Sequence, residues 1–319
     1  MATPDAFVPV AITTRNEFLE SVHFGAVVAI GRTGEVEAAV GDPDVLVYPR
    51  SSNKPMQAVA MVRAGLQLPP ELLALVCASH DGTPLHLDAA ERILVSAGLT
   101  AADLANVESM PLDEASAWSV IAAGGGRTRL QMNCSGKHGG MLATCVRNGW
   151  AHDPSYLRPD HPLQGAITGT IDELCGEVHA HIGVDGCGAP AHAMSLTGLA
   201  RAFRAIATGA AGPAGDEVYA AMTGHPVMVG GERRDVTTFM RHVPGLMAKD
   251  GADGVFAAAL PDGRAIALKI ADGGDRARPP VMVAALRALG VDVSDVAPLV
   301  EELIMGHGRP VGTVQVVGL

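Results

Sequence analysis

Gly254-Val255-Phe256-Ala257-Ala258-Ala259-Leu260-Pro261-Asp262-Gly263-Arg264-Ala265-Ile266-Ala267-Leu268-Lys269-Ile270 reads as two short strands about a Pro-Asp-Gly reversal. The turn residues supply the bend, and the apolar runs beside them have strand length. A similar arrangement lies near the other end of the chain, where Gly25 to Ile30 and Glu35 to Val40 flank Arg32-Thr33-Gly34. Val311 to Val317 reads as a last strand. Between the ends the pattern turns helical: Pro55 to Leu66, Thr83-Pro84 through Leu94 to Gly98, Pro162 to His181, Ser195 to Thr208 and Pro280 to Leu289 carry apolar residues at helical spacing. No repeat or long linker interrupts them. The fold class expected is α/β, one unit over residues 1–319, with an antiparallel sheet from about 20–50 and 250–319 and a mainly helical region over about 51–249.

A chain of 319 residues with 48% hydrophobic residues can fill a large core. No apolar run approaches the ~20 residues of a membrane span, and Met1 to Val10 has neither a basic nor an apolar leader pattern, so a soluble cytoplasmic protein with no membrane partner is expected. Net charge is −11 and aromatics make up 3%, which argues against nucleic acid as a partner. Five cysteines, Cys77, Cys134, Cys145, Cys175 and Cys187, are odd in number and read as reduced thiols.

The chain has only four lysines, Lys54, Lys137, Lys249 and Lys269, and each stands in a Ser-, Cys-, Gly- or apolar-rich context. Low lysine usage across a genome would explain the scarcity but not the contexts. A buried lysine can lose its proton and act as a base, which arginine cannot. Ser51 and Lys54 are three apart at the start of an expected helix, a spacing that puts a hydroxyl and an amine on one face. Ser79 ends the apolar run Leu72 to Ala78 and is followed by His80-Asp81-Gly82, either as a functional group or as an ordinary helix cap. Lys269 lies inside an apolar strand and needs a partner there. Lys249 precedes Asp250-Gly251. Cys134 in Asn133-Cys134-Ser135-Gly136-Lys137 and Cys187 in Asp185-Gly186-Cys187-Gly188 suit a metal or a reactive thiolate, and His138 is a further candidate ligand.

Taken together, Tyr48-Pro49-Arg50-Ser51 with Lys54, Cys77-Ala78-Ser79-His80, Asn133 to His138, Asp185-Gly186-Cys187, Lys249 to Val255 and Ile266 to Lys269 resemble the rhizobial-type L-asparaginases, in order and over almost the whole chain. The resemblance implies a fold similar to serine β-lactamases and serine-dependent glutaminases. It also implies two Ser-Lys tandems, Ser51 with Lys54 and Ser79 with Lys269, and a zinc ion held by Cys134, Lys137 and Cys187 with Asp185 close by. Arg50, His80 and Asp185 are expected around the substrate, and a homodimer is expected. Two positions depart from the family pattern: Asp81 stands where Ser or Asn is common, and Gly139 where Ala is usual. The implied activity is hydrolysis of L-asparagine to L-aspartate and ammonia; Ser51 is expected as nucleophile with Lys54 as its base, and Ser79 with Lys269 to relay protons or orient the substrate, or the two serines in exchanged roles. The rivals are a glutaminase or penicillin-type hydrolase, and a non-catalytic zinc-stabilised binding module.

Overall fold

A computed structural model describes residues 4–319. The strands are β1 (Val8–Arg15), β2 (Phe18–Ile30), β3 (Val36–Val40), β4 (Leu46–Val47), β5 (His181–Val184), β6 (Pro190–Ser195), β7 (Met247–Gly251), β8 (Val255–Ala259), β9 (Ala265–Ile270), β10 (Leu303–Gly306) and β11 (Arg309–Val316). The main sheet runs β10-β11-β1-β2-β9-β8-β7, with β3 also on β2, and every pairing is antiparallel. Both ends of the chain therefore build one sheet: Ala11 pairs with Val316, and Val27 with Leu268. The hairpins on either side of Arg32-Thr33-Gly34 and Pro261-Asp262-Gly263 form as the turn residues suggest. Strands β4, β6 and β5 make a separate small sheet.

The helices are α1 (Lys54–Arg63), α2 (Pro70–Val76), α3 (Pro84–Ser96), α4 (Glu114–Ala122), α5 (Ser135–Asn148), α6 (Pro162–Cys175), α7 (Leu196–Ala207), α8 (Pro213–Gly224), α9 (Pro226–Val229), α10 (Asp235–His242) and α11 (Arg278–Ala288). Ser195 caps α7 by accepting from Gly198 N, as its place before the apolar run suggests. Leu199, Phe203 and Ile206 of α7 are fully buried along one stripe against the sheet. Burying each contributes about 1.5–3 kcal/mol, and Phe203→Ala would cost about 3–5 kcal/mol through the cavity it leaves. Helices α7 and α11 both pack on β9, where successive residues are buried, so the centre of the sheet is covered on both faces. The helix expected over Pro162 to His181 ends early. Gly176 takes φ 68, the left-handed stop that only glycine adopts freely, and His181 already belongs to β5. Among the described residues no helix is long and apolar enough to cross a membrane.

Candidate active site

Ser51 lies in a 3-10 turn, Arg50–Asn53, that runs directly into α1 and Lys54. Arg50, just before the serine, holds φ 52, a left-handed conformation that costs a non-glycine residue about 1–2 kcal/mol. Its guanidinium is fixed by Asp185, 2.8 Å away, and by Asp253. Edge strand β7 is laid against this turn. A Cβ at Gly251 would lie 2.3 Å from Pro49 O, so only glycine lets the strand approach so closely. Ser52 Oγ donates to Lys249 O at 3.0 Å and completes the contact.

Ser79 follows α2 in a loop whose backbone is bonded on two sides: Ser79 N donates to Val229 O at 3.0 Å and His80 N to Asn133 O at 3.1 Å. The second bond places Ser79 beside Cys134. Helix α5 can come this near because Gly136 has no Cβ, which would meet Leu75 O at 2.6 Å.

Three of the four lysines, Lys54, Lys137 and Lys249, are at most 1% exposed. An unpaired buried ammonium would cost several kcal/mol, so their partners define the site. Lys54 Nζ donates to Ala78 O, to Ser79 Oγ at 3.2 Å and to Cys134 Sγ at 3.1 Å, three acceptors for three protons. Its amine thus reaches Ser79 and makes no hydrogen bond to Ser51, although the two share a helical turn. The expected tandem of Ser79 with Lys269 is not made. Lys269 is half-buried on β9 and donates to the carbonyls of Asp253 and, at 2.9 Å, Ile270. The second amine at the site is Lys249, on β7. It donates to Asp250 O at 2.7 Å and to the Asp250 carboxylate. Burial lowers its pKa to about 8, opposed by Asp250 and assisted by Lys54. Burial also opposes ionisation of Asp250, but Lys249, Arg234 and Arg278 outweigh it and hold that carboxyl well below its ordinary range.

Ser51 and Ser79 open on one cleft of about 420 Å³. Asn133, Arg234, Asp250, Asp275 and Arg278 supply its polar wall, with Leu112, Gly251 and Ala252. Arg234 and Arg278 lay outside the sequence expectation, and so did Asp250 and Asp275; only the fold gathers them. Of the three expected substrate contacts, none lines this cleft. His80 is fully buried, shares a 2.9 Å hydrogen bond with Ser135 Oγ and stacks on His86, 5.3 Å between centroids. Burial depresses its pKa well below the ordinary value, so it is a neutral strut for the Ser79 loop. Arg50 and Asp185 are spent on each other beside Ser51.

Cys134, Lys137 and Cys187 do converge. Lys137 Nζ lies 3.1 Å from Cys187 Sγ, and Cys187 Sγ is 3.8 Å from Asp185 Oδ2. The Cys187 thiol is held far below its usual range by its hydrogen bond with Cys134 and by the Lys137 ammonium. Nearby, His138 shares a 2.7 Å hydrogen bond with Tyr156 through Nδ1, while its buried Nε2 has no partner. Two thiols and an amine, with an orphaned ring nitrogen facing Cys187, are a donor set that fits zinc. Among the described residues no group of three or more His, Cys, Asp or Glu side chains is arranged to hold a metal. This cluster and the serine cleft are continuous: Lys54 touches Cys134, and Arg50 joins Asp185 to Ser51.

The L-asparaginase II family model matches residues 11–316. No curated protein matches the chain. Among solved structures, the native form of Mglu is similar at 14% identity and a TM-score of 0.41, the match covering 86% of this chain and 66% of that one. A β-lactamase from Mycobacterium bovis is similar at 16% identity and a TM-score of 0.41, covering 83% and 94%. Neither likeness is close enough to bear on the chemistry.

Proposed function

Because the chain belongs to the L-asparaginase II family of amidohydrolases, we propose that it hydrolyses L-asparagine to L-aspartate and ammonia by acyl transfer to a serine. The observation that carries this reading is the pair of serine hydroxyls opening on one cleft, with a buried lysine amine 3.2 Å from one of them. Ser51 Oγ, beside the strained Arg50, attacks the side-chain amide carbon. The reacting form has Lys54 as the free amine, which takes the Ser51 proton through Ser79 Oγ and passes it to the leaving nitrogen, which departs as ammonia. Water then attacks the acyl-serine ester, gives a proton to the same pair, and releases aspartate as the serine is reprotonated. Arg278, held by Asp235 and 3.0 Å from Asp275, faces the cleft for the substrate α-carboxylate, and Asp275, whose side chain is 70% exposed, gives up part of that pair to the α-ammonium. A zinc ion held by Cys134, Lys137 and Cys187 would displace the protons of the thiol and the ammonium and tie the Cys134 loop in place beside Lys54.

The test is ammonia release from L-asparagine, with L-glutamine and a β-lactam in parallel, for the parent and for Ser51→Ala and Ser79→Ala. Hydrolysis of asparagine that Ser51→Ala abolishes supports the reading. An acyl-enzyme mapped by mass spectrometry to Ser79 would exchange the two serines. Turnover of the β-lactam or of glutamine in preference, or of none of the three, would sink it.

A further inference from the structure

Asp81, two residues beyond Ser79, is joined to Lys249 by a chain of ion pairs. Asp81 Oδ1 accepts from Arg234 Nη1 at 3.3 Å, Arg234 Nη2 donates to Asp250 Oδ2 at 2.6 Å, and Asp250 Oδ1 accepts from Lys249. The chain is largely dry, with side chains 11%, 26%, 5% and 0% exposed for Asp81, Arg234, Asp250 and Lys249. Asp81 N donates to Gly230 O at 2.8 Å, which pins the carboxylate's backbone to the segment leading to Arg234. A single guanidinium therefore serves two carboxylates, and the second of these is, among the described residues, the lysine's only carboxylate partner.

We propose that Asp81 is a positioning residue for Lys249: by sharing Arg234 with Asp250, it sets how firmly Asp250 holds the lysine's ammonium and hence at what pH the second amine becomes a base. Without the Asp81 charge, Arg234 draws on Asp250 alone, and the ammonium is held less firmly. Without the Arg234 charge, Asp250 belongs wholly to Lys249 and the ammonium is held more firmly. The through-space effect of each change has the same sign as the effect along the chain. The charges facing Lys249 are Asp250, Lys54 and Arg234, and the Cys77 thiol beside it is pushed up to about 12 by burial and stays neutral. Asp81 faces Arg234, His86 and Asp113, and Asp250 also faces Arg278. The bearing of this device on catalysis rests on the acyl-transfer reading; the ion-pair chain does not.

Four lysines make the test direct. Protein labelled with 13Cε-lysine is titrated by NMR, the Lys249 resonance being the one lost in Lys249→Met. Asp81→Asn, nearly isosteric, lowers the Lys249 midpoint by about half a pH unit or more, the size expected for removing one charge across a partly screened interior. Arg234→Gln raises it by a similar amount. Asp113→Asn, which removes a carboxylate facing Asp81 but outside the chain, leaves it in place. Opposed shifts are a result that mere structural damage does not give. An unmoved midpoint in Asp81→Asn, or movement in the same direction in both variants, overturns the proposal; if Arg234→Gln does not fold, Asp81→Asn against Asp113→Asn decides. Shifts in a protein that hydrolyses no asparagine would refute the functional reading and leave the chain standing, whereas hydrolysis without shifts would do the reverse.

Discussion

Replacing Lys54 by Arg keeps the positive charge and removes the chemistry. The guanidinium cannot give up a proton at any working pH, so it cannot serve as a base. Proton transfer by a placed side chain contributes about 10²–10⁴-fold, which at 1.36 kcal/mol per tenfold corresponds to about 3–5 kcal/mol of barrier. The pocket for Lys54 is closed around it by Ala78, Ser79 and Cys134, and the wider planar group must push them apart. Overpacking of that kind costs about 1–3 kcal/mol of stability, which a domain of ordinary stability survives. Lys54→Met is the companion variant, of similar shape with no nitrogen. It leaves Ala78 O, among other acceptors, without its donor, at about 1–3 kcal/mol. Both proteins should fold, checked by urea unfolding, and both should lose at least about a hundredfold in kcat/KM for ammonia release from asparagine. A folded Lys54→Arg protein within about threefold of the parent rate would show that the Lys54 amine does not move the proton, and the catalytic scheme would fall.

Three further outcomes follow from the same geometry. Purified protein should carry about one zinc per chain by elemental analysis, and Cys187→Ser should lose it together with part of the thermal unfolding midpoint; a metal-free protein unchanged by strong chelator would reject the site. Asparagine should be preferred to glutamine by at least about a hundredfold in kcat/KM, because one extra methylene displaces the amide from a fixed nucleophile when the α-groups are anchored, and near-equal efficiencies would contradict this. Burial lowers the folded-state pKa of Lys249 from 10.5 to about 8, so its burial penalty is full below about 8 and is relieved as pH rises towards 10.5. The parent should therefore gain up to about 3 kcal/mol relative to Lys249→Met between those limits in urea titrations, and a gap that stays constant with pH would count against a charged, buried Lys249.

Local sequence carried much of this site because several of its parts are local. Ser51 and Lys54 share one turn, Cys134 and Lys137 share another, and the two hairpins announce themselves by their turn residues. Which amine meets which hydroxyl was not legible, because that depends on how separate elements stack. Lys269 stands in an apolar strand and looked buried, yet it is the partly exposed member of that strand and turns to the carbonyls of Asp253 and Ile270. Lys249 gave the weaker local signal, but its strand is buried throughout and lies against the Ser51 turn. A pattern of period two does not tell which edge of a sheet a strand will occupy. His80 differs for a related reason: beside Ser79 in sequence it reads as a substrate contact, whereas in the fold it is buried and stacks on His86.

Weaving one sheet from both ends of the chain also fixes the order in which the enzyme can be assembled. The strands β1, β2 and β3 are neighbours in sequence and can pair early, and α1 and α2 carry Ser51, Lys54 and Ser79 within reach of local folding. The far half of β2 has no partner on its β9 side until residues beyond 264 have been made, and β1 waits still longer for β11. Such distant pairings are slow to close and leave an open strand edge meanwhile. On the ribosome Ser51, Ser79 and Lys54 would thus exist before the wall that contains Asp250 and Arg278, so a half-made chain holds both hydroxyls but no closed cleft.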